Sequence, residues 1–232
     1  MRLQFLGACL AAAALLGGCA TAPQNPVPLA GDYFTSPART GRVGVLVAEL
    51  PKPDTAFPGA DCLLCLAAAS LANGDLSKAV VAWPTEELAS LKADLAAALR
   101  ARGDEVVVID EAPKLADLPD RNGAEPGFAR KDFTAYKAKA GVDRLLVVDV
   151  QALGAWRNYA AYIPTGAPRA VFKAQAYLVD LSTHKLAWYE RVDLGRPAEG
   201  NWDEPPAFPG MTNAYFQVLE EGKDAVKRPF AR

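Results

Sequence analysis

Residues 61–66 read Asp-Cys-Leu-Leu-Cys-Leu. Two thiols three positions apart can hold a metal, exchange disulfides or close a local staple. A closed structural metal site takes about four Cys or His ligands. The chain has four cysteines and a single histidine, His184. Cys9 and Cys19 belong to the N-terminal segment, so only Cys62 and Cys65 remain for the folded part. A complete Cys/His set is therefore lacking within one chain, and carboxylates or a second copy would have to finish it. No metal and no other cofactor is expected.

Disulfide exchange has more to recommend it. The order of a Val/Leu-rich strand (43–50), a loop, C-x-x-C and an apolar helix resembles the thioredoxin arrangement. Ile163-Pro164-Thr165 is similar to the proline turn of that family. A cysteine at a helix N-terminus has its thiolate favoured there. The loop from Leu50 to Cys62 is long, however, Leu63 and Leu64 are bulky, and Pro164 lies far downstream. The reading placed first is a local disulfide between Cys62 and Cys65 that pins the loop to the following helix. So short a ring gains little chain entropy, so its effect is on local geometry.

Other chemistry is scarce. No P-loop, G-x-G-x-x-G, G-x-S-x-G or H-E-x-x-H occurs. His184 sits in Ser-Thr-His-Lys, a hairpin turn. Asp110, Asp149 and Asp180 fall at or near strand ends, where open α/β sheets bind ligands; they could hold a cation, and caps or solvated strand ends are the plainer role. The stronger binding signal is aromatic: Trp156, Arg157, Tyr159 and Tyr162 crowd one loop, and Trp202 and Phe208 another. Trp, Tyr and Arg are the types enriched at binding hot spots. Loop packing onto the body is the competing role. A binding protein and no enzyme is the expectation.

These groups need a compartment. The chain opens with Arg2, an apolar stretch from Leu3 to Leu16 broken only by Gln4, and no acid before Asp32. That is the layout of a secretory signal, too short for a comfortable span of about 20 residues. Leu16-Gly17-Gly18-Cys19 resembles a bacterial lipoprotein lipobox. The resemblance implies cleavage before Cys19, a diacylglycerol on its sulfur and acylation of the new N-terminus by a chain such as palmitate. Two or more acyl chains anchor stably. Ala20 rather than aspartate follows, which points to the outer membrane, facing the periplasm. There the last two thiols meet an oxidising environment.

The elements that position these residues follow from periodicity. Residues 1–18 read as signal peptide, 19–41 as a flexible Pro/Ala-rich tether, and 42–232 as a single α/β domain. Half of the chain is apolar (51%), enough for a sizeable core. The net charge of −2 excludes a nucleic-acid footprint. Arg42–Leu50 reads as a strand buried on both faces. Thr85–Arg102 reads as one helix with Leu88, Leu91, Leu95 and Leu99 inward, ended by Gly103, and 104–110 as a short buried strand. Asp132 caps a helix ending at Gly141, and a third strand runs over 142–154. In 169–181, Phe172, Ala174, Ala176 and Leu178 alternate with Lys173, Gln175 and Tyr177, a strand with one face turned to a core. Residues 184–194 complete a hairpin. A last helix from about Thr212 turns Tyr215, Leu219, Gly222 and Val226 inward. The whole is an α/β fold: a mixed β-sheet of about five strands, parallel at the start and an antiparallel hairpin at the end, packed with helices.

Ala-Gly-Val-Asp-Arg-Leu-Leu-Val-Val-Asp-Val followed by Ala-Gln-Ala-Tyr-Leu-Val-Asp-Leu-Ser-Thr-His-Lys-Leu-Ala-Trp-Tyr is similar to TolB amino-terminal-like and CsgG-like periplasmic lipoprotein domains. The resemblance implies a mixed-sheet α/β domain that binds another envelope protein or self-associates. It carries over no functional residue, and the C-x-x-C and the long aromatic loop depart from it.

Overall fold

The computed structural model describes residues 23–36, 41–121 and 125–231. Cys19 and the signal region 1–18 lie outside them. The main sheet runs β3-β1-β4-β7-β8. β1 (Val43–Val47), β3 (Val106–Val108) and the start of β4 (Arg144–Trp156) are parallel. β7 (Arg169–Asp180) and β8 (Leu186–Pro197) continue it antiparallel. The expected α/β class and mixed sheet are thus observed. A sixth strand, β2 (Asp54–Ala56), pairs with the far end of β4. It comes so close at Gly154 (φ +129°) that a Cβ there would lie 2.0 Å from the Asp54 carbonyl oxygen, so the approach requires glycine.

Among the described residues five α-helices accompany the sheet: α1 (Leu63–Ala72), α2 (Gly74–Val81), α3 (Leu91–Ala101), α4 (Thr134–Ala140) and α5 (Pro209–Lys227). One sheet face builds the larger core from Val43, Val45, Leu146, Val148, Phe172, Ala174, Ala176 and Leu178 against α2, α3 and α5. The other face packs Leu46, Leu145, Val147, Tyr177, Val179 and Tyr189 against Phe133 and Tyr136. The alternation read over 169–181 holds: the four residues named first are buried in the larger core, while Lys173 and Gln175 are half-buried on the opposite face. A bulge between Val150 and Ala152 shifts the pairing, so Val150 and Leu153 both face the larger core.

The segment expected as one helix over 85–102 is two elements. A 3-10 turn, Glu86–Leu88, precedes α3, and the Thr85 side chain makes no cap bond. The break follows from what pins the entry: Trp83 stacks on Tyr215 with centroids 4.7 Å apart, and the Tyr215 hydroxyl donates to the Pro84 carbonyl at 3.0 Å. Leu88, Leu91, Leu95 and Leu99 still all reach the core. β3 is half-buried rather than buried, because it is an edge strand. α5 begins three residues earlier than read from sequence, with Pro209 at its first position. Its inward face contains Tyr215, Leu219, Gly222 and Val226 as expected; at Gly222 a Cβ would sit 2.6 Å from the Phe172 ring.

Part of the stretch expected as a loose tether is docked. Val27 pairs with Tyr189 through two backbone hydrogen bonds of 2.9 Å. Further on, the Tyr33 hydroxyl takes a hydrogen bond from Arg144, itself bonded to buried Asp104 at 3.1 Å, and Arg102 lies over the Phe34 ring at 4.2 Å. Two aromatics after the prolines supply the ring area that a pure Pro/Ala/Gly tether lacks.

Candidate functional site

Cys62 and Cys65 have their sulfurs 2.24 Å apart, at disulfide distance. Cys62 is the N-cap of α1, and its sulfur accepts the Cys65 N–H at 2.9 Å. An oxidised sulfur has no proton, so the Tyr162 hydroxyl, 3.9 Å from it, points to it as donor. Tyr162 belongs to a small hairpin of β5 (Tyr159–Ala160) and β6 (Ile163–Pro164). Pro164 pairs with Tyr159 there, and the contact to Cys62 comes from Tyr162 instead. β2 intervenes between β1 and the cysteines, so the strand-to-C-x-x-C order of a thioredoxin is interrupted.

A polar clasp holds α1 to this hairpin. Buried Asn73 donates to the Ala69 carbonyl and to the Tyr159 hydroxyl, each at 2.7 Å, and accepts from Arg157 at 3.0 Å. Ala60, Cys65, Ala69 and Tyr159 form a small apolar cluster with Phe57. Only Cys65 and Ala69 of α1 are buried. Its other face lies open: Leu63 is 90% exposed, Leu64 74% and Leu71 85%, and Ile163 on the hairpin is 69% exposed.

The five residues singled out as partner-binding candidates divide among three places. Tyr159 is buried and works as the hydrogen-bonded floor beneath α1. Tyr162 is exposed beside Cys62. Arg157 reaches back to cover the half-buried Trp202 ring at 4.7 Å. Trp156, also half-buried, lies under the Lys173 ammonium at 4.4 Å on the other side of β4, and Lys173 is paired with Asp193 at 2.7 Å. Arg157 and Trp202 come together, and Arg157 shares the Asn73 side chain with Tyr159; Tyr162 and Trp156 stand apart from that pair. Pairing each indole with a cation satisfies the ring face and leaves less aromatic surface free than the residue types suggest.

The three aspartates do not converge. Asp180 closes the hairpin turn, accepting from the Ser182 and Thr183 amides and the Thr183 hydroxyl. Burial pushes its carboxyl up, but these bonds together hold it below the ordinary range. Asp132 is held low chiefly by the Thr134 hydroxyl and amide; it stands one residue ahead of the N-cap of α4, which is Phe133 and not Asp132. Asp110 is exposed. Among the described residues no group of three His, Cys, Asp or Glu is arranged to hold a metal. His184 sits in the turn at φ +61°.

Asp149, read from the sequence as lying at or near a strand end, stands within β4 and lines a cleft that the sequence did not show. The cleft, of about 520 Å³, lies on the second sheet face. The cross-strand row Asp149–Gln175–Arg191 forms part of its floor beside Tyr177 and Tyr189. Phe128, Arg130 and Lys131 line it together with Pro23 and Gln24, whose side-chain carbonyl accepts the Gly127 N–H at 2.9 Å. Burial raises the Asp149 carboxyl, against a hydrogen bond from Gln151 that lowers it. Tyr177 and Tyr189 stack at 6.2 Å between centroids, and burial raises both phenols. The cleft opens beside β8, the last strand of the sheet. Val27 occupies its outer edge at Tyr189 and Phe128 at Lys185, where the Leu186 N–H donates to the Gly127 carbonyl at 2.8 Å; from Arg191 onward, among the described residues, no strand pairs with that edge. The polar-on-one-face alternation of 169–181 was the signal; that the covering segment stops short of Asp149 was not readable.

No protein-family model matches the chain, and no curated protein matches it. Solved structures do. A PelC dodecamer from Paraburkholderia phytofirmans is 13% identical, with 83% of this chain and 90% of that one covered and a TM-score of 0.35. Protein XCC0632 from Xanthomonas campestris is 14% identical, covering 88% and 89%, TM-score 0.35. Lipoprotein GNA1162 from Neisseria meningitidis is 12% identical, covering 77% and 99%, TM-score 0.35. Likenesses of this size assign no family. None of these likenesses confirms the TolB-like and CsgG-like resemblance; the α/β expectation is met by the strand order itself.

Proposed function

We propose that the chain is a lipid-anchored, periplasm-facing protein of the outer membrane that works by binding a segment of another envelope protein, and not by catalysis. The lipobox at Cys19 supports the anchor and the location. The cleft beside the open edge of β8 carries the binding reading. Its Tyr, Phe and Arg lining is of hot-spot type. A strand edge next to a cleft suits an extended peptide, which draws affinity from main-chain bonds and specificity from side-chain pockets. Glu190, Arg191, Asp193 and Arg196 along β8 discourage indiscriminate edge pairing. A second copy of the chain is one possible donor of the segment.

A photoreactive amino acid at Arg191, exposed at the cleft floor, tests this in intact cells. The expected result is one defined crosslinked envelope protein, lost when Asp149→Arg fills the cleft. Adducts no more specific than those from a probe at exposed Lys78 overturn the reading.

A further inference from the structure

The open face of α1 and the hairpin beside it lie outside that reading. From Cys62 to Gly74 no residue is charged, and none is charged from Asn158 to Pro168. The two stretches are clasped together by Asn73, Tyr159 and Tyr162. Their outward groups are Leu63, Leu64, Leu71, Tyr162 and Ile163. A helix apolar on every side is ordinarily buried on every side; α1 is buried on one.

We propose that this surface lies in the headgroup–acyl boundary of a phospholipid bilayer. Three observations favour lipid over protein. Leucine is under-represented at protein hot spots, and it forms the centre here. No charge faces out from either stretch, and the exposed hydrogen-bonding side chains are few: Ser70 on α1 and Asn158, Tyr162 and Thr165 on the hairpin segment. The single aromatic, Tyr162, is of the type that sits at membrane–water boundaries.

Depth follows from length. Among the described residues no single helix is long and apolar enough to cross a membrane. Ten residues of α1 give about 15 Å, half of a hydrocarbon core of ~30 Å. α1 and α2 together approach the needed length but are bent by 74°. Leu76 and Val80 commit α2 to the larger core, so it cannot follow α1 inward without exposing them. The helix therefore lies flat in the interface, as monotopic helices do. The polar face such helices turn to water is here the face bound to the protein. Asp61 and Asp75 bound the α1 stretch, and Arg157 and Arg169 the hairpin stretch, a balance that suits zwitterionic headgroups. From the lipobox reading this takes only that a membrane is near.

The test uses the full mature protein, purified from membranes and placed in phosphatidylethanolamine–phosphatidylcholine vesicles with a phospholipid photoreactive at its acyl chain. Acyl label is expected on peptides covering 62–72 and 159–165. In Leu63→Ser/Leu64→Ser/Leu71→Ser it should fall about tenfold or more, with the melting temperature unchanged because these side chains lie outside the core. Absence of acyl label from both peptides overturns the proposal, as does crosslinking of α1 to a second copy or another protein. The N-terminal acyl mass is read in the same digest. Its absence removes the Cys19 anchor, and label on α1 then supports the helix docking alone.

Discussion

α1 and α5 are both helices rich in apolar residues, and the molecule treats them oppositely. α5 buries Met211, Ala214, Tyr215, Val218, Leu219, Gly222 and Val226 and turns Glu220, Glu221 and Asp224 outward. α1 buries two residues and turns leucines outward. α5 is held by area: each large side chain removed from water adds roughly 1.5–3 kcal/mol. α1 has no such area, and is held by a capped, bridged N-terminus and an asparagine clasp at its C-terminal end. Apolar content therefore does not tell how a helix is retained; the placement of charge does. α5 carries the charges of a solvated face, and α1 carries none.

The largest effect that sharpens this contrast is in α5. Leu219→Ala, fully buried, should cost about 2–5 kcal/mol, read as a cooperative loss of melting temperature; a cost like that of a surface position would break the contrast. Asn73→Ala comes next, at about 1–3 kcal/mol, because it strips Arg157 and the Tyr159 hydroxyl of a buried partner. Its signature should be local: faster amide exchange in α1 with α5 unchanged. Uniform acceleration across both helices would show that the clasp serves the whole domain.

Smaller still is Asp180→Ala, about 1 kcal/mol at neutral pH for a half-exposed cap. Its carboxyl is held below the ordinary range, so the stability it contributes is present above that range. That stability is lost as pH falls through the folded value. The variant and the parent should therefore converge on acidification. Asp149 has the opposite sign: a raised carboxyl favours the protonated fold, so Asp149→Asn should gain slightly at neutral pH, under about 1 kcal/mol. Least of all, Leu64→Ser in α1 should change stability by no more than about 0.5 kcal/mol, measured by denaturant midpoint. A large loss would mean that the leucine face is covered within the chain.

The strands and the inward faces of α3 and α5 were legible because alternation and 3.6-residue spacing directly encode burial: Val43 to Val47 and Phe172 to Leu178 fall where their pattern puts them. α1 was legible as a helix and illegible as a surface, since Leu63 and Leu71 have the same type as the core leucines and only the whole fold decides which are covered. The break before α3 depends on Tyr215, more than a hundred residues away in sequence. The cleft at Asp149 depends on where residues 115–116 and 128–131 lie against the sheet, a tertiary fact. Trp156 and Trp202 were conspicuous by type, but no spacing rule joins them to their cations, Lys173 and Arg157, which stand well apart from them in the sequence.

The docked N-terminal strap also sets how load enters the domain. Any pull on the chain ahead of Pro23 arrives first at the Gln24 side chain, which accepts the Gly127 N–H at 2.9 Å, and at the two Val27–Tyr189 hydrogen bonds on the outer edge of β8. Only after these part does it reach Tyr33 and Phe34, held by Arg144 and Arg102. The first joint is weak and can re-form; the second is tied to a buried ion pair. A tug therefore lengthens the strap before it disturbs the sheet, as a mechanical fuse in series would.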